Sequence, residues 1–226
     1  IPKISIYIKD IKSSWACLRP LIQEEGKPVS ELSRKDEIFV SKSGLISIAG
    51  GKLTGYRKMA ERIVDLVTKK YVKKFSGTFK ETQTESILLS GGKFEDFNEV
   101  KSYINHVYDR IVEKQFDKKD AQYLVYNYGR QTNIILKKYD DFIEKGPQEK
   151  MIKAEVWFTI HYEMACSPID FFMRRTGRLF FDIDSVHRYK TIVLNEFSNY
   201  FCWDKKEKEK REEELLKKMK EVISFK

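Results

Sequence analysis

The spacing of hydrophobic residues changes at about residue 92. Before this point, short apolar runs alternate with polar positions, a pattern that is typical of strands buried on one face. Strands are predicted at 4–8, 38–40 and 45–49, with a further short one at 87–89. After this point, apolar residues recur at every third or fourth position, as they do on the buried face of a helix. The chain is therefore predicted to be mainly α, with a small α/β part before a helical part.

Six helices are predicted beyond residue 92, and glycine or proline marks several of their ends. Gly129 and Gly177 each stand where a helix C-terminus often needs a left-handed residue, and Pro168 suits a first helical turn. Lys205 begins a tail that is rich in Lys and Glu and carries a narrow apolar stripe at 215–223. The predicted helices are 94–111, 121–128, 134–143, 154–165, 168–177 and 183–203.

The regular pattern weakens between residues 76 and 92, where Ser-Gly and Gly-Gly pairs are turn signals. We interpret this stretch as a linker and predict a domain boundary inside it. The predicted domains are an α/β segment at 1–75, the linker at 76–92 and a helical domain at 93–226.

Composition limits the classes of partner and site. The 226 residues include 41% hydrophobic residues and carry a net charge of +9. Such a charge fits a phosphorylated metabolite, a nucleic acid, a membrane surface or simply a lysine-rich solvated surface. Three widely spaced cysteines without a Cys-x-x-Cys pair argue against a disulfide framework or a zinc site. No apolar run reaches the roughly 20 residues that span a bilayer, and a cytoplasmic location is expected.

A turn between the strand at 45–49 and a following helix is the most informative local motif. We name it the glycine turn, and a helix with Thr54 as its N-cap is predicted after it. Two glycines let a ligand approach the backbone, and a helix N-terminus with a lysine beside it favours an anion. An ordinary tight connection between strand and helix explains the same residues equally simply. The glycine turn comprises Gly50, Gly51, Lys52, Leu53 and Thr54.

Two arginines are candidate anion ligands. Arg19 lies in an apolar run, where a buried guanidinium needs an anionic partner, either a bound phosphate or carboxylate or one of the nearby Glu24 and Glu25. Arg34, just before a predicted strand, is by itself typical of a surface charge.

Charged residues of the helical part are interpreted as structural. Arg174 and Arg175 are expected to form interhelical ion pairs with Glu155 and Glu163. The three histidines share no metal-ligand spacing, and no metal site is predicted.

Three stretches resemble, in order and spacing, the FAD-dependent glycerol-3-phosphate dehydrogenases and the related α-glycerophosphate oxidases. A further block, in 123–129 and 154–176, is similar to the helical C-terminal domain of that family. The resemblance spans about residues 1–181. The three stretches are SWACLRPL at 14–21, SRKDE at 33–37 and GLISIAGGKLTGYRKMAE at 44–61.

The resemblance implies that Arg19, Arg34 and Lys52 surround the phosphate of glycerol 3-phosphate and that residues 50–54 contact the flavin ring. It also implies that hydride passes from C2 of the substrate to FAD, giving dihydroxyacetone phosphate, with electrons then passing to quinone or O₂. The α/β segment becomes a remnant of an FAD- and substrate-binding domain.

The family's dinucleotide fingerprint, Gly-x-Gly-x-x-Gly, does not occur in the sequence. The resemblance therefore places the catalytic residues and most FAD contacts in a preceding segment, so that these 226 residues alone are expected to be inactive and not to hold FAD. Glycerol 3-phosphate and that N-terminal FAD domain are the expected partners. A homo-oligomer and peripheral contact with the inner face of the cell membrane stay open, and no nucleic acid is expected.

A second class of function is a free-standing basic helical module that binds nucleic acid or an acidic membrane. Its support is the net charge alone, since no aromatic-basic RNA motif or recognition helix is apparent.

Overall fold

The computed structural model describes residues 7–18, 36–143 and 146–224. Within them the chain is mainly helical, and it divides into two compact units. The smaller unit contains 16–18 and 36–87, and the larger contains 7–15 and 88–224. Residues 4–6 of the first predicted strand lie outside the described residues. Ile8 belongs to the 3-10 turn Ile8–Asp10, so the strand prediction is wrong at that end.

The smaller unit contains an antiparallel hairpin followed by a helix. Strands β1 (Asp36–Val40) and β2 (Ile46–Gly50) confirm two of the predicted strands, and Ile38 pairs with Ile48 in their register.

Helix α1 (Tyr56–Phe75) follows a 3-10 turn at Leu53–Gly55. The prediction of Thr54 as N-cap is wrong. The Gly55 N–H donates to the Lys52 carbonyl (2.8 Å), and this tight turn places Gly55 at the N-cap position. Helix α1 has no buried residue, although apolar side chains repeat along it. Its apolar face is therefore uncovered within the smaller unit.

The larger unit contains seven α-helices among its described residues, close to the predicted positions. The fourth predicted helix starts earlier than expected because Pro147 takes the first helical position, where its missing N–H costs nothing. Asp170–Arg175 forms a π-helical turn in place of part of the fifth, and no strand forms at 87–89. The helices are α2 (Phe97–Ile111), α3 (Lys118–Tyr128), α4 (Thr132–Asp141), α5 (Pro147–Glu163), α6 (Arg178–Phe181), α7 (Ile183–Tyr200) and α8 (Lys205–Ile223).

Four of these helices begin at an aspartate. In each, the Asp carboxylate accepts a hydrogen bond from a backbone N–H of the first turn, at 2.7–3.2 Å. These N–H groups have no partner inside the helix, so the caps define where each helix begins. The capping residues are Asp96, Asp117, Asp182 and Asp204.

Helix α5 lies between two apolar cores of the larger unit. Its residues Ala154 and Phe158 pack with α2, α3 and α4, while Ile152 and Val156 pack with α6, α7 and α8. The apolar stripe predicted on the tail contributes to the second core, since Leu215 and other stripe residues of α8 are buried there. No helix among the described residues combines the length and the apolarity needed to cross a bilayer.

Glu155 of α5 is fully buried (0% exposed) and collects three hydrogen bonds. Its Oε1 accepts from the hydroxyls of Tyr123 (2.8 Å) and Tyr128 (2.9 Å), and its Oε2 accepts from Nη2 of Arg178 (3.0 Å). The Arg178 side chain is 14% exposed and lies over the Tyr123 ring. The predicted partner of Glu155 was Arg174 or Arg175, and this is corrected to Arg178 of α6.

The charges of this cluster stabilise one another. Burial, and then the charge of Glu155, raise the pKa of Tyr123 and of Tyr128 well above the ordinary value, so both hydroxyls keep the protons they donate. Burial is the largest single effect and opposes the charge of Arg178, but Glu155 together with Tyr123 and Tyr128 outweighs it and raises the pKa of Arg178. The cluster thus joins α3, α5 and α6 at one buried ion pair, in which Nε of Arg178 has no hydrogen-bond partner among the described residues.

A close contact between two glycines attaches the segment before α2 to the end of α3. Gly129 has φ +54° and ψ −134°, and the Arg130 N–H donates to the Gly91 carbonyl (2.9 Å). A Cβ on Gly129 would lie closer than 3.0 Å to that carbonyl oxygen, and Gly91 itself has φ +79°. Both positions therefore require glycine.

Gly129→Ala is expected to lower the free energy of unfolding by about 3 kcal/mol or more, because backbone strain adds to a clash with fixed backbone atoms. Gly177→Ala is the matched control. Gly177 also has positive φ (+66°), but its nearest obstacle is the movable ring of Phe181 at 3.2 Å, so a loss of about 1–2 kcal/mol is expected. Equal losses in urea unfolding would contradict the role given to the Gly91–Gly129 contact.

Arg178→Met is expected to destabilise the chain by about 3–5 kcal/mol, because it leaves the Glu155 carboxylate buried without a cation. The double variant with Glu155→Met should recover part of this loss, since it removes both charges together but leaves the hydroxyls of Tyr123 and Tyr128 without their acceptor. Lys114→Met, which breaks an ion pair with Asp140 at side chains 35% and 50% exposed, should cost less than about 1 kcal/mol. Urea unfolding of the unchanged chain and the three variants measures these differences. A double variant that is no more stable than Arg178→Met would refute the assignment of Arg178 as the cation that neutralises Glu155.

Candidate functional site

The glycine turn connects β2 to α1 and is open to solvent. Gly50 ends β2 with φ +80°, and Gly51 follows with φ +82°, a region that L side chains rarely adopt. Leu53 is 91% exposed, so its side chain does not cover the turn. The two glycines thus turn the chain without placing a Cβ on either side, leaving the backbone accessible to a ligand.

The electrostatics of the turn favour an anion. Among the described residues, no carboxylate forms an ion pair with Lys52. The N-cap Gly55 offers no side chain to the first N–H groups of α1, and the first turn of α1 contains no acidic residue. The positive end of this 20-residue helix and the Lys52 ammonium group, which has no ion pair among the described residues, together favour an anion. The N–H groups of Gly55 and Tyr56 already donate to the carbonyls of Lys52 and Leu53.

Two further cations of α1 are already neutralised. Arg57 and Lys58 lie within hydrogen-bond distance of Glu61 at 2.9 Å and 2.8 Å. The hydrogen bond from Lys58, aided by the charges of Lys58 and Arg57, lowers the pKa of Glu61 despite a smaller opposing effect of burial. Arg57 also reaches Thr84 (3.3 Å) and Glu85 (3.7 Å). This anchoring role of Arg57 was not predicted, although the i, i+4 spacing to Glu61 indicates it.

Arg19 and Arg34 lie outside the described residues. The structure therefore describes the glycine turn with Lys52, and the grouping of all three cations around one phosphate stays a prediction.

The buried cluster at Glu155 is not a second substrate site. The cavity beside it, lined by Arg178, Tyr189 and other residues, has a volume of about 90 Å³. Pockets for small-molecule ligands usually measure about 300–1,000 Å³, whereas one water molecule takes about 30 Å³. The cluster is better explained as a structural ion pair with a small cavity beside it.

Arg130 likewise has a structural role. Its guanidinium lies between the rings of Phe94 (4.4 Å) and Tyr103 (4.7 Å) and forms an ion pair with Glu99. Two shallow hollows flank it, but the bound carboxylate neutralises its charge, so neither hollow is an evident anion site.

The arginines of the π-helical turn hold the end of α5. Nε and Nη2 of Arg175 donate to the Glu163 carbonyl at 3.0 Å and 2.7 Å, and its Nε lies 3.8 Å from the Glu163 carboxylate. A cation at a helix C-terminus stabilises the last free carbonyl groups. Arg174 pairs with Asp170 at 2.6 Å instead of a glutamate. Among the described residues, no group of three or more His, Cys, Asp or Glu side chains is arranged to hold a metal.

Comparison with known proteins identifies relatives of the whole chain. Residues 82–208 match the family model described as the C-terminal domain of alpha-glycerophosphate oxidase. The aerobic glycerol-3-phosphate dehydrogenase of Bacillus subtilis (strain 168) is 42% identical over 225 residues, which is 98% of this chain and 40% of the relative. The enzyme of the same name from Staphylococcus saprophyticus is 39% identical over 95% of this chain and 39% of its own length.

A solved structure shows the same fold. The X-ray structure of glycerol-3-phosphate dehydrogenase from Bacillus halodurans, complexed with FAD, matches with a TM-score of 0.79 and 35% identity, over 98% of this chain and 42% of that one. The chain thus spans about 40% of the length of these relatives. The similarity also extends beyond residue 181, where the sequence resemblance was expected to end, and includes most of the tail.

Proposed function

We propose that this chain, which belongs to the family of the C-terminal domain of alpha-glycerophosphate oxidase, is the C-terminal part of an FAD-dependent enzyme that oxidises sn-glycerol 3-phosphate to dihydroxyacetone phosphate. The observation that carries the proposal is the 42% identity over 98% of the chain to a glycerol-3-phosphate dehydrogenase. The electrons then pass to quinone or O₂.

The glycine turn fits a flavin and a phosphate. Residues 50–54 would lie against the flavin ring, because Gly50 and Gly51 leave their backbone uncovered. Lys52 would stabilise negative charge on the phosphate or on the flavin, since a cation aimed at developing charge lowers the barrier. When bound, FAD supplies the acceptor for the hydride that leaves C2 of the substrate. Arg19 and Arg34 complete the phosphate site in this proposal.

The rest of the enzyme would cover the smaller unit. Helix α1 exposes Val64, Val67, Tyr71 and Phe75, each more than 40% accessible. Large exposed apolar faces usually mark an interaction surface. We propose that an N-terminal FAD domain outside these 226 residues packs here and supplies the catalytic groups. Contact with a membrane surface and self-association stay open in the proposal.

The alternative function as a basic module has little support from the charges of the tail. Along α8, cations and carboxylates pair at i, i+3 and i, i+4 spacing. Arg211 contacts Glu207 (2.7 Å) and Glu214 (3.3 Å), and Lys218 contacts Glu221 (2.7 Å). Such pairing leaves a mixed surface instead of the continuous basic face that nucleic acid or an acidic membrane requires.

The 226-residue chain alone is expected neither to retain FAD nor to oxidise glycerol 3-phosphate, because the dinucleotide cradle normally supplies much of the binding contact. The test mixes purified chain with FAD and substrate and follows bleaching of the flavin absorbance. The complete enzyme, under the same conditions, should bleach. Substrate-dependent bleaching by the chain alone, above a protein-free control, would refute the proposal that an N-terminal FAD domain is needed for FAD binding and catalysis.

In the complete enzyme, Arg19→Ala should lower kcat/KM for glycerol 3-phosphate about ten- to a hundredfold, because a hydrogen bond between charged groups contributes about 1.5–3 kcal/mol. FAD content should stay unchanged. Lys52→Ala should weaken substrate use and also make the reduced flavin less favourable, which a lower flavin reduction potential would show.

Arg175→Ala serves as the scaffold control for these two variants. Its contacts are to Glu163 at the end of α5, so it should lower the melting temperature and leave kcat/KM nearly unchanged. If Arg175→Ala loses activity while Arg19→Ala keeps it, the chemistry has been assigned to the wrong part of the chain.

A further inference from the structure

Residues 76–86, which we name the return segment, run back along α1 within the smaller unit. A residue in the left-handed conformation ends the helix and reverses the chain. The Phe79 ring then packs edge-on against the Tyr71 ring, with 5.5 Å between their centroids. Further along, the Thr84 hydroxyl accepts a hydrogen bond from Nη1 of Arg57 (3.3 Å). The return segment is thus attached to α1 near both ends of the helix.

The attachment at Arg57 leaves the return segment little slack. Arg57 and Tyr71 are about 21 Å apart along the helix axis. The chain from Phe79 to Thr84 spans at most about 18 Å when it is fully extended, so the long Arg57 side chain covers the remaining distance. A displacement of the first turn of α1 is therefore resisted by a nearly extended chain.

The part of the return segment that Arg57 contacts is a turn with hydrogen bonds of its own. The N–H and the hydroxyl of Ser86 both donate to the Gln83 carbonyl, at 3.0 Å and 2.9 Å. Arg57 reaches this turn with both terminal nitrogens, Nη1 towards Thr84 and Nη2 towards the carboxylate of Glu85 (3.7 Å). Arg57 therefore holds on to an ordered turn.

The first turn of α1 lacks the aspartate cap that begins four helices of the larger unit. Its N-cap is Gly55, which has no side chain to accept a hydrogen bond. Arg57 and Lys58 lie at the positive end of the helix, where cations are unfavourable. Glu61 offsets both charges, but it belongs to the same helix and connects the turn to nothing outside α1. The contacts of Arg57 with the return segment supply that external connection.

The first turn of α1 continues directly from the glycine turn. The Gly55 N–H donates to the Lys52 carbonyl (2.8 Å), and the Tyr56 N–H donates to the Leu53 carbonyl. No loop separates this 3-10 turn from α1. The backbone of Lys52 therefore moves with the turn that Arg57 holds.

We propose that Arg57 is a positioning residue for Lys52: by tying the first turn of α1 to the return segment, it fixes the glycine turn that presents the ammonium group. The inference rests on the proposed role of Lys52 beside the phosphate or the flavin. It also gives the stretch interpreted as a linker a part in that site, since the stretch supplies the contacts that Arg57 needs.

The test compares variants of the complete enzyme. Arg57→Met should lower kcat/KM for glycerol 3-phosphate about tenfold, because misplacing a group by about 1 Å can cost about a hundredfold in rate. FAD content should stay unchanged, and the flavin reduction potential should fall, as expected for Lys52→Ala. Hydrogen exchange at the backbone amides of 51–56 should become faster, which reports the position of the turn independently of activity.

Lys58→Met is the matched control. Lys58 lies in the same helical turn and pairs with the same Glu61 at 2.8 Å, but its ion pair does not involve the return segment. This variant should leave kcat/KM, the flavin potential and the exchange at 51–56 unchanged. Equal effects of Lys58→Met and Arg57→Met would overturn the inference, because they would trace the loss to Glu61.

A second variant leaves α1 itself unaltered. Thr84→Val combined with Glu85→Gln removes the partners of Arg57 on the return segment and should lower kcat/KM about threefold, a smaller effect because Glu61 still holds the guanidinium. An unchanged kcat/KM in both this variant and Arg57→Met would overturn the inference while leaving the proposed function intact.

A double variant separates positioning from a general structural effect. In a Lys52→Ala background, Arg57→Met should cause no further loss of kcat/KM, because its effect acts through Lys52. Additive losses would overturn the inference. If Lys52→Ala itself keeps full kcat/KM and an unchanged flavin potential, the proposed role of Lys52 fails, and the inference fails with it.

Discussion

The larger unit depends on one buried carboxylate. Glu155 lies between the two cores, at a position where an unpaired charge would cost several kcal/mol. Three donors from α3 and α6 satisfy it, so those elements must meet α5 at fixed places. Apolar packing alone tolerates small shifts between helices, whereas hydrogen bonds of 2.8–3.0 Å do not. The carboxylate thus selects one arrangement among those that the two cores would allow.

Helix positions could be predicted from the sequence because burial of one helix face makes apolar residues recur at every third or fourth position. The ends were less predictable. Thr54 looked like an N-cap, but the preceding glycines let a 3-10 turn continue to Gly55. The helix predicted at 154–165 begins at Pro147 instead. The partner of Glu155 lies 23 positions away in Arg178, and a single sequence contains no information on such a contact.

The candidate site was predictable in a different way. Spacing alone identified the glycine turn only as a tight connection or an anion site, and the choice between them came from resemblance. The structure adds the positive φ of both glycines and the exposure of Leu53. The spacing of apolar residues predicts neither feature. The ion pair of Arg57 with Glu61, in contrast, was predictable from the i, i+4 spacing of the two residues.

Net charge is a poor guide to where an anion site would lie on this chain. A value of +9 describes the whole sequence, yet the densest run of lysines, on α8, is offset by glutamates one turn away. Arg130, Arg175 and Arg178 are each held by a carboxylate or a carbonyl of the helical unit. Lys52 has no such partner in the described chain and precedes the N-terminus of α1, where no side chain caps the helix. The local excess of positive charge at the glycine turn, and not the total charge, is therefore the feature on which the proposed anion site rests.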